Sequence, residues 1–243
     1  MDSGYYAASA GLAAQMQALE LVANNLANLD TAGYRGQRAT FRSLLAGHNP
    51  LWNPVNTAIN NYGVLGAGAT DLESGSLTAT GNPLDLAVAG KGFFVVQSSG
   101  GTLYTRNGGF HRTLDGRLVT AAGDPVLGED GPIQLPNGVF AVAADGTISV
   151  DGAIAARLRI AEFAPNTELA AAGKALYAAP TGSELPAASS SIRQGMIEQS
   201  NVSPVEGGVQ LITIQRNAEM MQRALSVFDS QLNQTAVQDL PRV

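Results

Sequence analysis

Apolar residues recur at alternating steps of three and four at both ends of this chain, and that repeat constrains the fold more than any other feature. Near the C-terminus they are Leu211, Ile214, Ala218, Met221, Leu225, Phe228 and Leu232. Near the N-terminus they are Leu12, Met16, Leu19, Ala23 and Leu26. Each set is the a/d seam of a helix that packs along another helix. Chain ends normally fray and carry little structure. Two adhesive helices placed there are expected to pair with each other, with copies of the same chain, or with both.

Composition narrows what lies between them. The 243 residues suffice for one large core or two modest ones. Glycine is abundant at 28 residues, and only 14% of the chain is charged. A hydrophobic fraction of 45% is that of a folded protein rather than a disordered one. The net charge of −6, with only Lys91 and Lys174 as lysines and no basic stripe, argues against a nucleic-acid partner. Absence of cysteine excludes disulfides, thiol catalysis and cysteine-ligated metals. No stretch is long and apolar enough to insert in a bilayer. The start, Met1-Asp2-Ser3, lacks the positive charge of a secretory signal, so export without a cleaved peptide or a cytosolic location is expected.

The first helix is expected over 4–28. From Met1 to Tyr34 there is no Lys or Arg, and the only acids are Asp2, Glu20 and Asp30. Its exterior is therefore Ala, Gln, Asn and Ser, whereas a helix lying on one core usually carries a charged outer face. Two readings follow: burial in a single core, or close packing between subunits. The helix ends in Ala23-Asn24-Asn25-Leu26-Ala27-Asn28. Three asparagines there oppose helix propensity. Asn24 and Asn28 share a face, where their amides either hold the following turn or meet solvent.

Residues 31–82 read as an extended connector with a short helical pattern at Phe41, Leu44 and Leu45. A structureless loop of that length is uncommon inside a compact domain, so it is expected to lie along something. From residue 83 to 180 the pattern becomes short strands, at 84–89, 93–97, 103–106, 117–120, 139–143, 147–150, 158–163 and 175–177. Asp115-Gly116, Asn137-Gly138, Asp145-Gly146 and Asp151-Gly152 punctuate them as hairpin turns. The fold class is therefore α+β, with a mostly antiparallel central β domain of sandwich or barrel type and a coiled-coil unit made by the terminal helices. Residues 181–202 form a linker and return strand. The last helix, in 203–243, is expected to start at Pro204, with Ser203 as cap and Glu206 closing a capping box. Glu219 and Arg223 are spaced as an outer-face ion pair.

Chemistry for catalysis is sparse. His48 and His111 show no metal-ligand spacing with each other. Asp145 and Asp151 are a formal pair of carboxylates for glycoside hydrolysis. Each precedes a glycine, however, where aspartate is favoured simply as a turn former. Gly90-Lys91-Gly92 lacks phosphate-loop spacing. An enzyme, a cofactor and a metal are not expected.

Several motifs occur in order from residue 5 to about 235. Ala23-Asn24-Asn25-Leu26-Ala27-Asn28 is followed by Thr31-Ala32-Gly33-Tyr34-Arg35; Gly81-Asn82-Pro83-Leu84-Asp85-Leu86 precedes Gly92-Phe93-Phe94-Val95-Val96. Tyr104-Thr105-Arg106-Asn107-Gly108 comes next, and Glu198-Gln199-Ser200-Asn201-Val202-Ser203-Pro204 leads into the last helix. Together they resemble the axial rod and hook proteins of the bacterial flagellum. One departure is Gly207-Gly208, where the family usually has acid and aliphatic residues.

The resemblance implies a structural subunit that polymerises through its terminal helices. The expected partners are copies of itself, other rod proteins and the flagellar export apparatus, and the expected place is the rod in the periplasm. Length, the Met1-Asp2 start and the lack of a large middle insertion point to the proximal rod. A distal-rod or hook-type axial subunit is the alternative, and a secreted adhesin or phage-tail-like binding module a more remote one. The expected assembly interface comprises the two seams together with Asn24, Asn25 and Asn28.

Overall fold

Four consecutive residues, Phe93, Phe94, Val95 and Val96, are almost fully buried in the strand Phe93–Ser98, and they organise the larger part of the computed structural model. Side chains alternate across a strand. Phe94 and Val96 accordingly join one core with Leu86, Phe110, Leu118 and Ile148. Phe93 and Val95 join a second core with Tyr104, Phe163 and Tyr177. A strand covered on both faces reads as an unbroken apolar run, which is how this one appears in the sequence. Edge-to-face ring pairs reinforce both sides, Phe94 with Phe110 at 5.0 Å and Phe93 with Phe163 at 5.6 Å.

The structure describes residues 2–38, 41–42, 64–65, 69–164, 167–187 and 189–239. They are α+β, with two helices and many antiparallel strands. They divide into two compact units. The first comprises the described parts of Met1–Leu26, Gln37–Gly68 and Pro204–Val243, and the second Ala27–Gly36 with the described parts of Ala69–Ser203.

In the second unit, Phe93–Ser98 lies inside a six-stranded sheet. The order is Ala170–Gly173, Leu176–Ala178, Gly101–Thr105, Phe93–Ser98, Ile160–Phe163, Glu184–Pro186. Every pairing within it is antiparallel. A three-stranded sheet, Phe140–Val142, Thr147–Val150 and Ala153–Arg157, contributes Ile148 and Val150 to the first core. Smaller ladders join Ser191–Gln194 to Leu86–Ala89 and Met196–Glu198 to Leu77–Ala79.

Asp115-Gly116, Asp145-Gly146 and Asp151-Gly152 each lie between paired strands, as their turn chemistry predicts. Asn137-Gly138 closes no hairpin among the described residues. It leads into Phe140–Val142, and Asp151 Oδ1 accepts the Val139 N–H at 2.8 Å. The strand Ala153–Arg157 is absent from the sequence reading, because an alanine-rich exposed run has no strand-like alternation. Glu184–Pro186, in the segment 181–202 read as a linker and return strand, forms the last strand of the large sheet.

In the first unit, α1 spans Asp2–Ala27 and α2 spans Pro204–Asp239. Proline at the first position of α2 loses nothing, since that N–H has no helical partner in any case. Phe41–Arg42 is a strand paired with Val64–Leu65, not the start of a helix, while Leu44 and Leu45 lie outside the described residues. The expected ion pair between Glu219 and Arg223 is not among those formed by the described residues.

Candidate assembly site

The seam residues are brought together within the first unit. A groove of about 300 Å³ is lined by Met16, Leu19 and Gln15 of α1 and by Ile214, Ala218 and Gln222 of α2, among others. Two close approaches set the direction. A Cβ added at Gly207 would lie 2.7 Å from Leu26 Cδ2, and one added at Gly11 would lie 3.0 Å from Met221 Sδ. The late part of α1 thus meets the early part of α2, and the helices run antiparallel. Gly207, a departure from the expected motif, is buried because Leu26 sits on the helix backbone there. Its missing side chain makes room for the partner helix.

Burial along the seam is incomplete. Leu12, Leu19, Leu26, Leu211, Ile214, Ala218, Met221 and Leu225 are half-buried, Ala23 is exposed and Met16 is 50% exposed. The side chains of Phe228 and Leu232 lie outside the described residues. Away from the seam, Val205, Val209, Ile212, Met220 and Val227 of α2 are all more than half exposed.

The asparagines divide the work differently from the shared-face expectation. Asn25 makes a two-way bond with the Gln37 backbone, its Nδ2 donating to the carbonyl at 2.8 Å and its Oδ1 accepting the N–H at 2.9 Å. Asn28 holds the next turn, accepting from the Thr31 hydroxyl at 3.1 Å and through its carbonyl from the Thr31 N–H at 3.2 Å. Asn24 is exposed.

A second constellation lies wholly in the β-rich unit, and none of its members was among the residues expected to act. Glu198, 1% exposed, is approached by two buried arginines, Arg35 Nη2 at 2.7 Å and Arg106 Nη1 at 3.1 Å. Its Oε1 also accepts the Gly75 N–H at 2.8 Å, and its backbone carbonyl accepts the Gly33 N–H at 2.8 Å. Arg106 donates further to the carbonyls of Val88 (3.2 Å) and Gly90 (2.7 Å) and lies 4.8 Å over the Phe93 ring.

Around them, Arg35 N–H donates to the Tyr177 hydroxyl at 2.8 Å, and Gly36 N–H to Asn201 Oδ1 at 2.7 Å. Asn201 returns its own N–H to the Tyr34 carbonyl at 3.3 Å, and its Nδ2 reaches the carbonyls of Asp71 and Glu73. Burial lowers both guanidinium pKa values, that of Arg106 to about 10, while the Glu198 carboxylate opposes the shift. Burial pushes the Tyr177 phenol up to about 12. The Nε atoms of both arginines have no hydrogen-bond partner among the described residues.

Replacing Tyr177 with phenylalanine leaves the buried Arg35 N–H without an acceptor and is expected to cost about 1–3 kcal/mol in denaturant unfolding. Tyr104→Phe, whose hydroxyl meets the partly exposed Glu184 at 3.2 Å, should cost less than about 1 kcal/mol. Equal costs would show that the Arg35 contact carries no weight.

The carboxylates weighed for hydrolysis are engaged in turns. Asp145 accepts the Thr147 N–H at 3.1 Å and its hydroxyl at 2.9 Å, which lowers its pKa, and Asp151 sits at φ 51° bonded to Val139. His111 is exposed on a short strand, and His48 lies outside the described residues. Among the described residues, no group of three or more acids and histidines is placed to hold a metal.

Terminal helices joined in one unit, an antiparallel β unit, and polar side chains spent on structure are the features of a structural subunit. Three family models match the chain: the flagella basal body rod protein model at residues 6–35, the flagellar hook protein FlgE/F/G D1 domain model at 87–156, and the flagellar basal body rod FlgEFG protein C-terminal model at 193–238. The flagellar basal-body rod protein FlgF of Caulobacter vibrioides is 34% identical over 257 aligned positions, covering 100% of both chains. FlgG of Agrobacterium fabrum is 33% identical, covering 91% of this chain and 94% of its own. FlgF of Salmonella typhimurium is also 33% identical, covering 94% and 95%. The chain belongs to the flagellar basal-body rod protein family and is a structural subunit of the flagellar basal body.

Proposed function

We propose that this subunit polymerises through α1 and α2 into the proximal part of the rod, the shaft that crosses the periplasm and transmits torque. The observation that carries this reading is the state of the helix pair. The seam from Leu12 to Leu26 runs antiparallel to the seam from Leu211 to Leu225, yet most of it is only half-buried. Val209, Ile212, Met220 and Val227 are left largely exposed. Apolar surface of this extent on a soluble helix is the mark of a surface covered by another protein. Subunits of an open polymer touch through unlike patches, so one copy presents different faces to different neighbours. The neutral exterior of α1 suits such packing. In the sequence the connector, 31–82, and the central β domain, 83–180, lie between the two helices.

Other rod proteins and copies of this chain are the partners in this reading, and the flagellar export apparatus passes the chain outward unfolded, without a cleaved signal. No helix among the described residues is long and apolar enough to cross a membrane. Its role is mechanical and needs no catalysis, cofactor or nucleic acid. Deleting residues 1–30 is expected to leave a folded, monomeric β-rich unit that cannot enter rods. Sedimentation of the purified protein and motility of the complemented strain check this, and a motile strain carrying the deletion would overturn it. Imaging basal bodies from a strain lacking the gene distinguishes a proximal from a distal position.

A further inference from the structure

The buried cluster of Arg35, Arg106 and Glu198 is left unused by the helix-based reading. Its members lie far apart in sequence, and one comes from each of the three segments that match family models. Arg35 lies in the stretch by which the chain leaves α1, and Glu198 in the stretch by which it enters α2. Arg106 belongs to the β core beside Phe93.

We propose that Glu198 is a positioning residue, a latch that fastens the chain leaving α1 and the chain entering α2 to each other and to the β core. Three bonds join the two stretches directly: Gly33 N–H to the Glu198 carbonyl, Asn201 N–H to the Tyr34 carbonyl, and Gly36 N–H to Asn201 Oδ1. The carboxylate alone holds both guanidinium groups, so it ties Arg35 to the Arg106 that is anchored on Val88, Gly90 and Phe93. The points at which the chain exits and re-enters the β-rich unit are thereby set by one acidic side chain. The rod reading bears only on the motility arm of the test below.

Charge makes the idea specific. Two cations share one anion, and the other charged groups that act on them are Asp71, felt by Arg35, and Glu162, felt by Arg106. Removing Glu198 leaves two buried like charges close together. Removing Arg35 leaves a balanced pair of Arg106 and Glu198. Breaking a buried ion group by deleting its shared partner is far more damaging than deleting the surplus charge. A residue that merely filled space would show no such order.

The test is peptide-resolved hydrogen exchange on the full-length protein, with Glu198→Gln, Arg35→Met and Glu198→Asp. Glu198→Gln is expected to speed exchange in 31–36 and 199–203 by about 100-fold, while peptides over Phe93–Ser98 change less than about twofold. Arg35→Met is expected to give about a tenfold rise in the same segments, and Glu198→Asp less than that. Motility should fall in the same order. The latch is overturned if Glu198→Gln leaves 31–36 and 199–203 protected, if it unfolds the core peptides equally, or if Arg35→Met exceeds it. Exchange that follows the expected order with motility intact would uphold the latch and overturn its link to the rod.

Discussion

Gly33→Ala is expected to destabilise the β-rich unit by about 3 kcal/mol or more, a loss made of left-handed backbone strain and a backbone collision. Gly33 has φ 67°, which costs a residue bearing a side chain about 1–2 kcal/mol. An added Cβ would also fall on the Asn107 nitrogen and the Arg106 carbonyl carbon, and backbone cannot rotate out of the way as a side chain does. The N–H of this residue bonds the Glu198 carbonyl, so the shift that relieves the collision also loosens the latch. Gly81→Ala is the control, with a similar φ of 73° and nothing within 4 Å, and should show the strain alone. Urea unfolding of both variants measures the difference, and equal losses would remove the close approach from the explanation.

The second large effect is expected at Phe94. It is fully buried in the larger core and stacks edge-to-face on Phe110 at 5.0 Å. Truncation to alanine removes the transfer free energy of the ring and leaves a cavity, together about 3–5 kcal/mol. A domain of this kind has about 5–15 kcal/mol in total, so the variant sits near or below the folding threshold. Ile154→Ala, at a position 79% exposed, should change stability by less than about 0.5 kcal/mol. Thermal unfolding followed by near-ultraviolet circular dichroism separates the two. A Phe94→Ala protein as stable as Ile154→Ala would show that this core tolerates collapse around the lost ring.

Much of the fold was legible in local pattern. The steps of three and four placed both helices, and Pro204 marked the start of α2 to the residue. The run Phe93-Phe94-Val95-Val96 marked a strand, whose burial on both faces only the structure revealed, and Asp-Gly pairs marked hairpins. Local pattern also has limits. Ala153–Arg157 has no alternation to read, and Phe41 fits a helix and a strand equally well until its partner Leu65 is known. The candidate site was legible by half. The seams could be drawn from spacing, whereas the ion cluster could not. Its one available signal was the placement of lone charges, Arg35 after a stretch with no earlier basic residue and Arg106 and Glu198 inside motifs of a chain only 14% charged.

The sequence by itself determined which faces are apolar, where the helices begin and where the chain turns, because those properties depend on residues a few positions apart. The tertiary structure alone decided that the helices run antiparallel with Gly207 admitting Leu26, and that Arg35, Arg106 and Glu198 meet out of water. The seams at the two ends, complementary as they are, fit either direction of pairing. Only closure of the chain through the β-rich unit brings residues 163 positions apart into one buried group of charges.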